Sequence, residues 1–162
     1  MFFERTALAG ALLFVLVGLV SFPDRTLQVP VSGVVAAATP ASGKPAYSAY
    51  KTVTIGMKTE EARKALGDPK DKADDQDLYM FSDEELVQIY YDANKLVTAI
   101  SITFYKDFSK APTARDVLGE DAPAKPDGSI FKTVRFTKAG YSASYSKTAG
   151  DSASVSITLQ KL

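Results

Sequence analysis

A short helix signal ending in Leu-Gly, followed by stretches in which apolar and polar residues alternate, occurs twice in this chain. Ala62-Arg63-Lys64-Ala65-Leu66-Gly67 matches Ala114-Arg115-Asp116-Val117-Leu118-Gly119, and Ile100-Ser101-Ile102-Thr103-Phe104 matches Val155-Ser156-Ile157-Thr158-Leu159. The two matches occur in the same order, so the pattern predicts a duplicated unit of helix, strand, strand, strand. Side chains of a strand alternate between faces, so strands with one apolar side belong to a sheet covered on that side. Short turns between neighbouring strands imply antiparallel hairpins. The expected fold is α+β: an antiparallel sheet with short helices on one face, in two tandem units over 50–107 and 108–162.

The local signals fill in this outline. Thr59 is placed to cap the first helix, with Glu60 and Glu61 at the positive end of its dipole. Ala62, Ala65 and Leu66 share its expected buried stripe. Gly67 is suited to a positive-φ helix end, and Pro69 blocks continuation. In the second unit Pro112 suits the first helical position, and Ala114, Val117 and Leu118 form the stripe. Strands are expected over Leu78–Phe81, Leu86–Tyr91, Leu96–Tyr105, Phe131–Phe136, Tyr141–Tyr145 and Ser154–Leu159. The inward set is Thr98, Ile100, Ile102, Phe104, Val155, Ile157 and Leu159, joined by Tyr79, Phe81, Val87, Ile89, Tyr91, Val134, Phe136, Tyr141, Ala143 and Tyr145. Phe108 is expected to cover the junction of the units.

The first helix carries a recognisable opening. Ile55-Gly56-Met57-Lys58-Thr59-Glu60-Glu61-Ala62-Arg63-Lys64-Ala65-Leu66-Gly67-Asp68-Pro69 resembles the start of the SmpA/OmlA (BamE-like) family unit: an apolar residue, Gly, Met, a polar helix start, and a short helix ending in Leu-Gly-x-Pro. Two such units in tandem resemble the architecture of the β-lactamase inhibitor proteins. The resemblance implies an extracytoplasmic protein in which two units share one sheet. The second copy lacks the Gly-Met start, and Glu120-Asp121 stands where the first copy has Asp68-Pro69.

Ahead of this body, residues 1–38 read as a signal peptide or a membrane anchor. Thr6–Phe22 is an uncharged apolar run, bounded by Glu4 and Arg5 before it and Pro23, Asp24 and Arg25 after it. Ala36-Ala37-Ala38 offers a small-residue cleavage site. The run is also close to the roughly 17 residues needed to cross a bilayer. Both readings place the body outside the cytoplasm: anchored by the segment, or secreted or periplasmic after its removal. Residues 39–49, rich in Pro, Ala, Ser and Gly, read as a linker, with the folded body starting near Tyr50.

Composition narrows the chemistry. The chain has no Cys and no His, which excludes thiolate and imidazole catalysis, disulfides and a lipidated cysteine. With 19 Lys+Arg against 19 Asp+Glu there is no basic footprint for nucleic acid. Glu60, Glu61, Glu84 and Glu85 fall at a helix start and a turn, where capping and solubility account for them. Asp71, Asp74, Asp75 and Asp77 lack the central Gly and closing Glu of a calcium loop and read as a solvated segment. The expectation is a non-enzymatic protein with no cofactor and no metal.

The sheet face away from the helices is the better candidate for function. Alternation places Met80, Gln88, Tyr90, Ser101, Thr103, Tyr105 and Arg135 there, with Ser144 and Thr158. Tyr and Arg are favoured anchors at protein interfaces. The expected role is a protein-binding or scaffold module of the cell envelope. Its partner is another envelope or secreted protein, docked on the outer face or a free edge strand, and the membrane is touched through the N-terminal segment alone. The alternative is a secreted enzyme inhibitor, with Asp68–Asp77 or Ala122–Gly128 as the inserted loop.

Overall fold

The structure, a computed structural model, describes Thr39–Pro40 and residues 47–162. The apolar N-terminal run, its anchoring or cleavage, and residues 41–46 of the expected linker lie outside the described residues.

The elements run β1 (Thr39–Pro40), α1 (Thr59–Leu66), β2 (Asp71–Lys72), β3 (Gln76–Ser82), β4 (Glu85–Tyr91), β5 (Val97–Tyr105), α2 (Ala114–Leu118), β6 (Ile130–Phe136), a 3-10 turn (Thr137–Ala139), β7 (Tyr141–Lys147) and β8 (Ser154–Lys161). All eight strands form one sheet in the order β1-β6-β7-β8-β5-β4-β3-β2. Every neighbouring pair is antiparallel except β1, which runs parallel to β6 with Thr39 opposite Val134. That pair lies within the stretch expected to be linker. The α+β sheet is therefore as expected; β5 begins at Val97, one residue after the expected Leu96, whereas the other long strands run past their expected ends because backbone pairing continues through residues such as Gln76 and Asp77.

The strand order places β5 and β8 side by side, with Ile102 opposite Ile157 and Ile100 opposite Leu159. Outward from this seam come β4 and β3 on one side, β7 and β6 on the other. Ile89, Ile100, Ile102, Ile157 and Leu159 are fully buried, in one cluster with Ala62 and Leu66 of α1 and Val117 and Leu118 of α2. Both helices therefore cover the same side of the sheet. Each large apolar side chain buried there contributes roughly 1.5–3 kcal/mol, so the seam is where the fold is held. Phe108 is half-buried and packs against this cluster, as do Tyr47 and Phe81.

Several local expectations are corrected. Ala65 is exposed, and the buried stripe of α1 is Thr59, Ala62 and Leu66. At about 100° per residue those three fall within roughly 60° of one another, whereas Ala65 lies on the flank. Thr59 does not cap α1, since Lys58 holds the N-cap position. Thr59 is 4 % exposed, and its hydroxyl donates to the Lys95 carbonyl at 3.0 Å. The turn between β4 and β5 supplies that carbonyl, and the Ile55–Lys58 segment lies along the start of β5. There the Gly56 N–H donates to Val97 O at 2.8 Å, with Gly56 at φ +84°. In α2, Thr113 caps in place of a Pro112 start. Its hydroxyl accepts from the Asp116 N–H, and the Asp116 carboxylate accepts from the Thr113 N–H. This reciprocal pair satisfies two orphan donors, which proline at the first helical position cannot do. Finally, Thr98 is not inward. A bulge pairs Tyr90 with Ala99 and Tyr91 with Val97, so Val97 takes the buried place and the Thr98 hydroxyl donates to the Tyr90 carbonyl at 3.3 Å.

Candidate docking face

Residues directly opposite across a sheet point to the same side, so the pairing defines the outer face as rows. One row runs Gln76, Tyr90, Ala99, Gln160, Ser142, Arg135. The next runs Leu78, Gln88, Ser101, Thr158, Ser144, Thr133. The third runs Met80, Leu86, Thr103, Ser156, Ser146, Phe131. Tyr105, opposite Ser154, begins a shorter fourth row. Met80, Gln88, Tyr90, Ser101, Thr103, Tyr105 and Arg135 thus share one face, as do Ser144 and Thr158.

The face has a chemistry of its own. Charged residues make up 23 % of the chain, yet of the eighteen positions that β3 to β8 contribute to the three rows Arg135 alone is charged, with Asp71 of β2 opposite Leu78 at the edge of the second. Eight of the eighteen are Ser or Thr, concentrated on the central strands. Their hydroxyls meet across strands, Thr103 with Ser156 at 3.2 Å and Thr133 with Ser144 at 2.8 Å. Large apolar groups stand at the periphery, with Met80 43 %, Phe131 60 % and Tyr105 40 % exposed. Near the bulge, Asp75, Tyr90, Thr98, Ser101, Thr158 and Gln160 line an open depression of about 570 Å³. Such a surface supplies hydrogen bonds and apolar contacts with few charges to desolvate.

The sheet edges are less available than the alternation alone suggests. β2 lies along β3 at Asp77 and Leu78, and β1 lies along β6 at Val134 and Arg135. Ala124 bridges Ile130 at the start of β6. The loop Asp68–Asp77 is tied down, because Arg63 reaches Ala73 O at 3.0 Å and Lys95 reaches Asp74 Oδ1 at 2.9 Å.

That loop also holds the feature sequence reasoning missed. Asp77 is not solvated: it points into the core and is 1 % exposed. Arg63 of α1 donates from Nε to Oδ2 at 2.8 Å and from Nη2 to Oδ1 at 2.9 Å, a two-pronged pair. The Tyr91 hydroxyl donates to Oδ2 at 2.7 Å, with Tyr79 more distant at 3.5 Å. Burial pushes the Asp77 pKa upward, but the bonds from Arg63 and Tyr91 and the charge of Arg63 outweigh it and hold the carboxyl below its ordinary range. Burial, followed by the charge of Asp77, pushes Tyr79 up to about 12. Among the described residues every buried side-chain polar atom has a hydrogen-bond partner, and this cluster ties α1 to β3 and β4. The hint in the sequence is Arg63 itself, one residue from Ala62 on the buried side of a short helix.

Among the described residues no helix is long and apolar enough to cross a membrane, and no group of three or more His, Cys, Asp or Glu is arranged to hold a metal ion. Comparison with protein families, curated proteins and solved structures finds no match to this chain.

Proposed function

We propose that this chain is an exported, non-enzymatic protein-binding module of the cell envelope that docks another protein through the outer face of its sheet. The observation that carries the reading is the face itself: eighteen positions in register with one charge among them, opposite the side that both described helices cover. A surface that only kept the protein soluble would be charged like the rest of the chain. Depletion of charge is a feature that the face shares with interface cores.

The tandem SmpA/OmlA-like organisation belongs to the same proposal. It is supported by a strand order that reads last, middle, first outward from the β5–β8 seam on both sides. It is supported also by the Ile55–Lys58 opening, where Gly56 takes the positive φ that the Gly-Met start requires. Export is supported by the apolar run Thr6–Phe22.

The test is affinity capture from envelope fractions with the wild-type chain and with a Tyr90→Ala/Tyr105→Ala variant. Both tyrosines lie on the face, so a protein bound there is expected to be lost, at least tenfold, from the variant capture. Equal recovery with a normally folded variant would remove the face from the mechanism.

A further inference from the structure

We propose that the protein docked on the outer face is a second copy of this chain, related by a two-fold axis running along the strands between β5 and β8. The proposal rests on reading this face as a protein-docking surface, and it names the partner. Three strands of the face lie on each side of the β5–β8 seam. Rotation about an axis there sets six strands on six, exchanging β3 with the partner's β6, β4 with its β7, and β5 with its β8. An axis along the strands also keeps each row facing itself.

Some of the facing side chains are matched in kind, whereas Leu78 comes over Thr133, Leu86 over Ser146 and Ala99 over Gln160. In the third row Met80, whose sulfur accepts from the Lys70 ammonium at 2.8 Å, comes over Phe131 of the second copy, so that two of the most exposed apolar groups among the described residues meet beside that charge. In the middle row Ser101 faces Thr158, and in the third row Thr103 faces Ser156. A hydroxyl both donates and accepts, so a hydroxyl surface is complementary to its own copy in a way that a surface of one-sided donors or acceptors is not. In the first row Arg135 faces Gln76, whose amide oxygen accepts from it. No charge meets a like charge. The chain's formal net charge of zero adds no long-range repulsion between copies.

Extent agrees with this arrangement. Six strands about 4.8 Å apart and three rows about 6.8 Å apart cover roughly 600 Å² in projection. Side-chain relief brings that toward the ~800 Å² per partner of a stable interface.

The absence of cysteine gives a direct test on the full chain. A single cysteine can cross-link only between copies. Ser101→Cys, next to the axis, is expected to give a covalent dimer with a short bis-maleimide, whereas Lys64→Cys, exposed on α1, is not. Sedimentation of the unmodified chain is expected to give twice the monomer mass. Thr158→Asp places two carboxylates beside the axis and is expected to weaken the dimer at least tenfold, and should this variant fold poorly, the Ser101→Cys result still decides. A monomer at ~100 µM, or cross-linking through Lys64→Cys as efficient as through Ser101→Cys, overturns the proposal. If the chain is monomeric while Tyr90→Ala/Tyr105→Ala still abolishes capture of an envelope protein, the second copy is ruled out and the docking face stands. If neither responds, both fall.

Discussion

At the scale of single residues, the alternation in β4 and β5 was enough to place Gln88, Tyr90, Ser101, Thr103 and Tyr105 on one face, because the period of two leaves no freedom once one buried residue is known. Asp77 was not legible in the same way. Its neighbours Asp74 and Asp75 are exposed, and nothing local distinguishes it from them. Its burial depends on Arg63, fourteen positions away on a different element, and on Tyr91 of the neighbouring strand β4. Removing one member of a buried pair leaves the other uncompensated, so Asp77→Asn is expected to cost about 3–5 kcal/mol in urea unfolding. The pH dependence carries a sign. The folded carboxyl titrates below its unfolded value of about 3.9. Its contribution is therefore complete above about pH 4 and disappears as pH falls through the folded value. The variant is expected to show a flatter acid limb than wild type, and two superimposable limbs would mean that Asp77 carries no such linkage.

At the scale of elements, type and order followed from pattern, whereas the caps and the first residues did not. The Gly67 stop is legible because few residues can replace glycine there. Its φ of +85° and ψ of −161° lie in a region that is nearly glycine-only, with no neighbouring atom within 4 Å to complicate the argument. Gly67→Val is accordingly expected to lose roughly 1–3 kcal/mol by backbone strain alone, and an unchanged thermal midpoint would show that the chain takes another path out of α1. The start of α1 is different. A threonine before Glu-Glu reads as a cap, but the Lys95 carbonyl offers its hydroxyl a buried partner, and tertiary contact outweighs local preference. The bulge at Thr98 has the same character. One extra residue in β5 is invisible to a strict alternation, yet it brings Val97 into the core.

At the scale of the whole molecule, the seam between β5 and β8 joins what the chain order separates. Ile157 is fully buried opposite Ile102, and the single core cluster includes residues of both helices. Ile157→Ala is expected to cost about 2–5 kcal/mol and to lower hydrogen-exchange protection in β3–β5 as well as in β6–β8. Loss confined to β6–β8 would mean that the halves unfold independently. By itself the sequence determined the class of fold and most of the inward and outward residues, Val97, Thr98 and Asp77 excepted, since periodicity is a local property of the chain. Tertiary structure alone decided that β5 meets β8, that Asp77 is enclosed by Arg63 and Tyr91, and that Met80 and Phe131 stand at opposite ends of one row. Each of these depends on which distant segments come into register, and the energy that selects the register comes from burying a shared core.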